Sequence, residues 1–392
     1  MRIAILTSGI LPVPAVQGGA VETRVGHLLA YNDLHQLHDI TVYSVYHPEV
    51  EGHHALLSNV NHYVYIDTRS LMSRIRKRIH GLTHKGTYYH YSIDYFFQQA
   101  LNMLKHQHFD CIIAANRPAY GLQLRKVTNA KIVYLLGNDF LNDKVPHSRA
   151  LYQAASLIVA NSNFIKHRVQ TCNPNDTKCV TVYNGIDLTP FTIPPTITRT
   201  SLGYDKDDFI LAFSGRLTPE KGIAELIEAM KLVKDEPRIK LLVMGSSFYD
   251  NGSNDNPFIT ELKKRANDIN DRILFTGYIK HAMMADYLRL ADVAVIPSVW
   301  EEPFGLTVVE GMAAGLPIIT TNRGGIPELV TKDNAIITEV DETFTNQLAQ
   351  AIRHLYLHPE TCRSMGEVSL QLSKRFSKEI YAKNFFDALN HL

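Results

Sequence analysis

The chain has 392 residues, more than one hydrophobic core normally serves, so we expect two domains. Hydrophobic residues make up 45% of the chain and charged residues 20%, which is ordinary for a globular protein. The 40 basic and 39 acidic side chains leave a formal charge of +1. This balance lacks the basic excess typical of nucleic-acid-binding chains, and we expect no nucleic-acid partner.

Cysteine usage and hydropathy predict a cytoplasmic protein. Cys172 and Cys179 are near enough in sequence to pair, but the chain contains no CxxC motif or Cys/His cluster, which favours reduced thiols. Residues 1–7 lack the long apolar core of a signal peptide and are typical of a buried first strand. No stretch approaches the roughly 20 apolar residues of a membrane-spanning helix.

Short apolar runs alternate with amphipathic segments along nearly the whole chain. Such strands, flanked by helices, indicate parallel sheets covered on both faces. The predicted strands of the first half are Ile3–Thr7, Ile40–Ser44, Tyr63–Ile66, Cys111–Ala114, Lys131–Leu136, Leu157–Ala160 and Val180–Tyr183. The predicted helices between them are Ala20–Asn32, Ile93–His106 and Asn163–Gln170.

The alternation pauses over residues 187–208, a Pro- and Thr-rich stretch that is typical of an interdomain linker. It then restarts with predicted strands Ile210–Ser214, Lys240–Met244, Ile273–Thr276, Val293–Pro297 and Ile318–Thr320. The predicted helices are Ile223–Val233, Pro257–Asn267, Ala282–Leu290, Leu306–Ala314 and Phe344–Leu357. The pattern predicts an α/β fold with two doubly wound parallel sheets in tandem.

The segment from Ser298 to Pro317 carries the strongest signal, because ligands of doubly wound sheets bind beyond the carboxyl ends of the strands. Pro303 fits a helix start, Gly305 lets the backbone approach a ligand, and free N–H groups there favour a phosphate. Glu302 and Glu310 would then lie on roughly one side of a helix, where ribose hydroxyls could donate to a buried carboxylate. The alternative is a capped helix with solvated acids.

Two cations follow another predicted strand. Gly215 ends the strand, Arg216 comes next, and Lys221 lies at the start of the following helix. Cations and helix N–H groups that converge beyond a strand form a site for a diphosphate. The alternative is that both residues are ordinary surface charges.

Two further motifs are weaker. Gly18 and Gly19 open a predicted helix and offer a second amide-rich start, although Gly-Gly is a common turn. Residues 205–207 match the metal-binding DxD pattern but precede a strand, as a solvated turn would. No other cluster has metal-ligand spacing, so we expect chemistry without an obligatory metal, with Arg216 and Lys221 supplying the positive charge.

Together these segments resemble glycosyltransferase family 4, whose members are retaining enzymes of the GT-B fold. The similarity spans nearly the whole chain and is densest in the C-terminal half. Its carriers are Gln17–Glu22, Val182–Asp187, Phe213–Gly222, Glu302–Pro317 and Thr321–Glu328. It implies two Rossmann-like domains facing a cleft, with an acceptor domain over 1–188, a nucleotide-sugar domain over 189–375, and a C-terminal helix over 376–392 that returns to the first domain.

The resemblance also implies a reaction and its residues. A sugar would pass, with retention, from a nucleoside diphosphate sugar (UDP favoured, GDP also considered) to a hydroxyl of a glycan or lipid-linked saccharide in polysaccharide or glycolipid assembly. Arg216 and Lys221 would stabilise the leaving diphosphate, and Glu302 would orient the sugar. The other implied donor contacts are Gly18, Gly19, Gly277, Tyr278, Ile279, Phe304, Gly305, Leu306 and Glu310.

The chain departs from the family pattern after the strand Lys131–Leu136. Gly137 stands where many relatives carry a histidine, and the polar pair Asn138 and Asp139 follows it. Either Asn138 or Asp139 positions the acceptor, or the histidine is dispensable, or the register differs. Two alternative functions stay open: a nucleotide-sugar epimerase, and a nucleotide-sugar-binding subunit that has lost catalysis.

Residues 69–91 form a basic segment with interleaved apolar side chains and three tyrosines. Such a segment is compatible with peripheral contact with an anionic membrane, here its inner face, and thereby with a lipid-linked acceptor. The alternative is a solvated loop and helix face.

Overall fold

The computed structural model describes residues 1–69, 91–246 and 257–392. They form two compact units, here called the first unit (Met1–Gly185 with Glu379–Leu392) and the second unit (Ile186–Lys378). All but the two end residues of the basic segment 69–91 lie outside the described residues. Within the described ranges, no helix combines the length and the apolar character needed to cross a membrane.

The first unit contains a seven-stranded parallel sheet in the order β3-β2-β1-β4-β5-β6-β7. Its strands are β1 (Arg2–Leu6), β2 (Asp39–Val45), β3 (Asn61–Ile66), β4 (Cys111–Ala115), β5 (Lys131–Leu136), β6 (Leu157–Ala160) and β7 (Cys179–Thr181). Its helices are α1 (Ala20–His35), α2 (Tyr91–Leu104), α3 (Gly121–Leu124), α4 (Ser148–Ala154), α5 (Asn163–Gln170) and the C-terminal helix, α12 (Lys378–Leu389). Alternate strand residues enter two separate apolar clusters, as a sheet covered on both faces requires.

Helix α12 completes one face of the first sheet. Tyr381, Phe385 and Leu389 are at most 1% exposed and share an apolar cluster with Ile3 and Ile5 of β1. This confirms the predicted return of the C-terminal helix to the N-terminal domain.

The second unit contains a six-stranded parallel sheet in the order β10-β9-β8-β11-β12-β13. Its strands are β8 (Phe209–Ser214), β9 (Ile239–Met244), β10 (Ile273–Gly277), β11 (Val293–Ile296), β12 (Ile318–Thr321) and β13 (Ala335–Thr338). Its helices are α6 (Ile223–Leu232), α7 (Pro257–Arg265), α8 (Met284–Leu288), α9 (Leu306–Ala313), α10 (Phe344–Leu357) and α11 (Pro359–Ser373). The two doubly wound parallel sheets confirm the predicted fold class.

The stretch 187–208 is not an extended linker but packs within the second unit. Its Arg199 donates to the Leu290 carbonyl over 2.9 Å and pairs with Asp292 over 2.8 Å. These contacts fix the stretch beside β8 and β11, because Asp292 also accepts from the Ile210 amide over 2.8 Å.

Candidate active site

In the second unit, three neighbouring strands end in glycines at one edge of the sheet. Gly215, Gly245 and Gly277 follow or end β8, β9 and β10, and all three have positive φ. A Cβ at Gly245 would lie 1.8 Å from the Gly215 carbonyl oxygen. Glycines at these positions let the backbones of neighbouring loops approach each other closely. They lie at the carboxyl end of a doubly wound sheet, where ligands bind.

Lys221 and Glu302 form an ion pair at this edge. The Lys221 side chain is 22% exposed and that of Glu302 is 10% exposed. Ser298, which follows β11, donates to the same Glu302 carboxylate over 2.9 Å, and the Val299 amide donates to the Glu220 carbonyl over 3.0 Å. The loop after β8 and the loop after β11 thus hold a cation and a carboxylate together.

Helix α9 begins at Leu306 and not at Pro303, with Gly305 as its N-cap at φ 107°. A left-handed residue directly before the helix sets the start, and this position favours glycine. The prediction that Glu302 and Glu310 share one side of a helix is wrong, because Glu302 precedes the helix. Phe304 turns inward: it is 2% exposed and its ring lies 6.0 Å from that of Phe376. The Phe304 ring is therefore part of the packed interior.

Glu310 projects from α9 and is held by His281, a residue that no sequence motif singles out. The His281 Nε2 lies 3.1 Å from the Glu310 carboxylate. The Glu310 side chain is 10% exposed and that of His281 is 75% exposed. The hydrogen bond that His281 donates to the Glu310 carboxylate raises the pKa of His281 above its ordinary value.

We expect His281→Ala to lower the free energy of unfolding only at acidic and neutral pH. A raised pKa in the folded state stabilises the protein below the unfolded value of about 6.5, and this contribution is lost as pH rises through the folded pKa. Because solvent screens the exposed histidine, the loss is below about 1 kcal/mol. Urea titrations of both proteins from pH 5.5 to 9 measure it. In a Glu310→Gln background the difference should vanish, and a difference that grows towards pH 9 would contradict the pairing.

The remaining predicted donor residues of the second unit lie along the same sheet edge. The Arg216 side chain is 46% exposed, and among the described residues it pairs with the Glu220 carboxylate over 3.9 Å. Gly277 ends β10 at φ 73°, and Tyr278 and Ile279 continue as half-buried loop residues. Arg216 is thus a cation with a weak partner, available to an anion.

In the first unit, the glycine loop is shaped by a buried carboxylate. Gly18 and Gly19 precede α1 with φ 77° and 100°, and a Cβ at Gly19 would lie 2.4 Å from the Glu22 carboxylate. Glu22 is 3% exposed and accepts from Ser8 over 2.6 Å. Burial raises the pKa of Glu22 even though the Ser8 hydroxyl opposes the shift. Gly18 itself has open space where a Cβ would stand.

Of the polar pair Asn138 and Asp139 after β5, only Asp139 uses its side chain in polar contacts with other described residues. Asp139 pairs with Arg168 over 2.7 Å and accepts from Asn142 over 2.8 Å. Asn138 is half-buried, and within the described ranges its side chain makes no hydrogen bond. Asp139 therefore anchors the loop, whereas Asn138 retains its hydrogen-bonding capacity.

Among the described residues, no group of three histidine, cysteine, aspartate or glutamate side chains is arranged to hold a metal ion. The four cysteines are free thiols. Metal-independent chemistry stays a prediction, because the diphosphate could bring its own cation.

Comparison with known proteins places the chain among sugar-transferring enzymes. Residues 196–371 match the family described as Glycosyl transferases group 1. The chain is 27% identical over 415 residues to the putative glycosyltransferase YtcC of Bacillus subtilis (strain 168), with 98% of this chain and 94% of the relative covered. It is also 26% identical over 274 residues to the lipopolysaccharide 1,2-N-acetylglucosaminetransferase of Salmonella typhimurium, covering 66% and 68% of the two chains.

The fold is shared with solved structures over its full length. The crystal structure of Anabaena HepE in complex with UDP and glucose superposes with a TM-score of 0.73 at 19% identity, covering 100% of both chains. At this identity the likeness concerns the fold alone.

Proposed function

We propose that this chain, whose residues 196–371 match the glycosyl transferases group 1, moves a sugar from a UDP-sugar to a hydroxyl of a glycan or lipid-linked saccharide, with retention of configuration. The observation that carries the proposal is the Lys221–Glu302 pair beside the start of α9. It places a cation, a carboxylate and free helix N–H groups at one strand edge. A diphosphate and its sugar require these groups.

In the proposed mechanism, Lys221 and Arg216 neutralise the diphosphate as the anomeric C–O bond breaks. The N–H groups at the start of α9 add fixed dipoles aimed at the developing charge. A non-bridging phosphate oxygen accepts the proton of the attacking hydroxyl on the face from which the nucleotide departs. Glu302, freed from Lys221, orients the sugar hydroxyls and stabilises the positive charge at the anomeric carbon.

Glu310 is proposed to accept from the ribose hydroxyls, and the main chain of residues 277–279 to contact the base. Support for UDP comes from the HepE structures that contain UDP, and support for a saccharide acceptor from the lipopolysaccharide enzyme. The proposed membrane contact of residues 69–91 would bring a lipid-linked acceptor to the first unit. The predicted independence from metal belongs to the same proposal.

Trp300, the only tryptophan of the chain, provides a direct test of donor binding. It is 43% exposed and precedes Glu302 by two residues. We expect its emission to change saturably on titration with UDP, to the same extent in EDTA and in Mg²⁺, and less tightly with GDP. The reason is that the nucleotide displaces water and charge beside the indole ring.

The control is Trp300→Phe, which should lose the signal yet keep the thermal stabilisation. A ligand at about 100 times its Kd stabilises a fold by about 2.7 kcal/mol, which a melting curve detects. If neither UDP nor GDP changes Trp300 emission or raises the melting temperature, the proposed donor site is wrong. Product analysis then separates the functions: sugar on an acceptor supports the transferase, an epimerised donor supports an epimerase, and binding without turnover supports a binding subunit.

A further inference from the structure

Arg24 of helix α1 lies with its guanidinium at the end of β5. Arg24 is 3% exposed, and its Nη1 donates to the Leu136 carbonyl over 3.3 Å. Its guanidinium carbon lies 5.8 Å from the centroid of the Tyr381 ring. A Cβ at residue 137 would come within 2.6 Å of the same Nη1. The guanidinium therefore occupies the volume that a side chain at Gly137 would need.

Three buried side chains from three elements hold the backbone around Gly137. Arg24 binds the carbonyl before it, the Asn116 side-chain oxygen accepts from the Gly137 amide over 3.0 Å, and Asn161 donates to the Gly137 carbonyl over 3.3 Å. Asn116 and Asn161 are 6% and 1% exposed. Burying polar groups is costly unless they are hydrogen-bonded, so this arrangement commits three of them to fixing one short loop.

Among the described residues, no carboxylate forms an ion pair with the Arg24 guanidinium. Its Nε and Nη2 are buried without a hydrogen bond to those residues. A buried, incompletely paired cation lowers stability, and such a group calls for an explanation other than packing.

The loop that Arg24 fixes presents Asn138. That side chain is half-buried and unengaged, whereas its neighbour Asp139 is committed to Arg168 and Asn142. An amide held in this way offers both a donor and an acceptor to a sugar hydroxyl.

We infer that Arg24 is a positioning residue for the acceptor: it fills the space over Gly137 and fixes the peptide that presents Asn138 to the acceptor hydroxyl. Gly137 is then the complement of Arg24 and not a sign of lost catalysis. The inference rests on the proposed function, since it assigns the acceptor side of the same reaction.

The test compares transfer with hydrolysis, using UDP-glucose as donor and octyl β-D-glucoside as the acceptor probe. Arg24→Met should lower kcat/KM for the acceptor by about 10- to 100-fold, the scale of a small misplacement of reacting groups. UDP release by water should persist, so the ratio of transfer to hydrolysis falls. Asn138→Ala should give the same shift, and Arg24→Lys should recover part of the loss. Arg149→Met, at an exposed position of α4, is the matched control and should behave as wild type.

Gly137→Ala pushes Nη1 from its place and should act like Arg24→Met, with the double variant no worse than either single one. The Kd for UDP, read from Trp300 emission, should stay within about twofold, because none of these residues is among the proposed donor contacts. An unchanged transfer-to-hydrolysis ratio in folded Arg24→Met overturns the inference and leaves the transferase intact. If the wild-type chain releases UDP neither from UDP-glucose nor from other UDP-sugars, the proposed function fails and the acceptor role falls with it.

Discussion

Lys221→Met should lower turnover by more than 100-fold while UDP still binds. Lys221 is the cation nearest to Glu302 at the sheet edge, and its charge is needed most when the diphosphate departs. Removing one preorganised electrostatic donor typically costs a factor of about 10²–10³ in kcat. UDP release from UDP-glucose, measured under saturating donor, gives the number.

The matched control for this variant is Lys231→Met. Lys231 lies on α6 with its side chain 29% exposed and pairs with Glu228 over 3.1 Å, away from the strand edge. Its replacement should leave turnover unchanged. Lys221→Met also leaves the buried Glu302 carboxylate without its ion-pair partner, which lowers stability. Adding Glu302→Gln removes that unpaired charge and should restore stability without restoring activity. Turnover within threefold of wild type in folded Lys221→Met would contradict the assigned role.

Gly222→Ala should be among the most destabilising single-methyl changes in the second unit. Gly222 has φ 71°, and an added Cβ would stand 1.8 Å from the Pro297 carbonyl oxygen. An alanine in the left-handed region costs about 1–2 kcal/mol, and overpacking adds about 1–3 kcal/mol. Since Gly222 links Lys221 to α6, UDP affinity should fall as well.

Gly203→Ala is the control for Gly222→Ala, because it introduces the backbone strain of a left-handed alanine without steric overlap of the added Cβ. Gly203 has φ 82° and also ends a 3-10 turn, but no atom lies within 4 Å of its would-be Cβ. Scanning calorimetry should show Gly222→Ala melting about 5 °C lower than Gly203→Ala, given roughly 2–4 °C per kcal/mol at this size. Equal melting temperatures would mean that the loop after β11 moves aside.

Strand positions were predictable because most strands are buried on both faces and read as continuous apolar runs. The predicted and observed ends of β5 and β6 are identical. The sequence did not reveal β13 or α11. β13 is a short edge strand with two half-exposed or exposed central residues. α11 packs through small residues: Gly366 approaches the Gly315 backbone so closely that a Cβ would lie 2.3 Å from its carbonyl oxygen. Such a helix shows no clear apolar stripe.

The sequence was sufficient to predict which residues of the site follow strand ends, but not which side chains they contact. Loops that follow parallel strands reach the same edge, so Arg216, Lys221 and Glu302 could be grouped from sequence. Their partners could not, because a pair such as Lys221 and Glu302 is separated by 81 residues and depends on the course of two loops. His281 beside Glu310 and Arg24 beside Gly137 were missed for the same reason: no spacing rule connects a helix residue to a distant loop.

The C-terminal helix has a consequence for synthesis on the ribosome. Because Tyr381 and Phe385 complete the cluster around Ile3 and Ile5, the first unit cannot close its apolar core until the C-terminal helix has been synthesised. The second domain has all its strands by then and can mature first, so the order of folding runs against the order of emergence. Meanwhile the half-built sheet offers an uncovered hydrophobic face, which makes the nascent chain a natural client for chaperones.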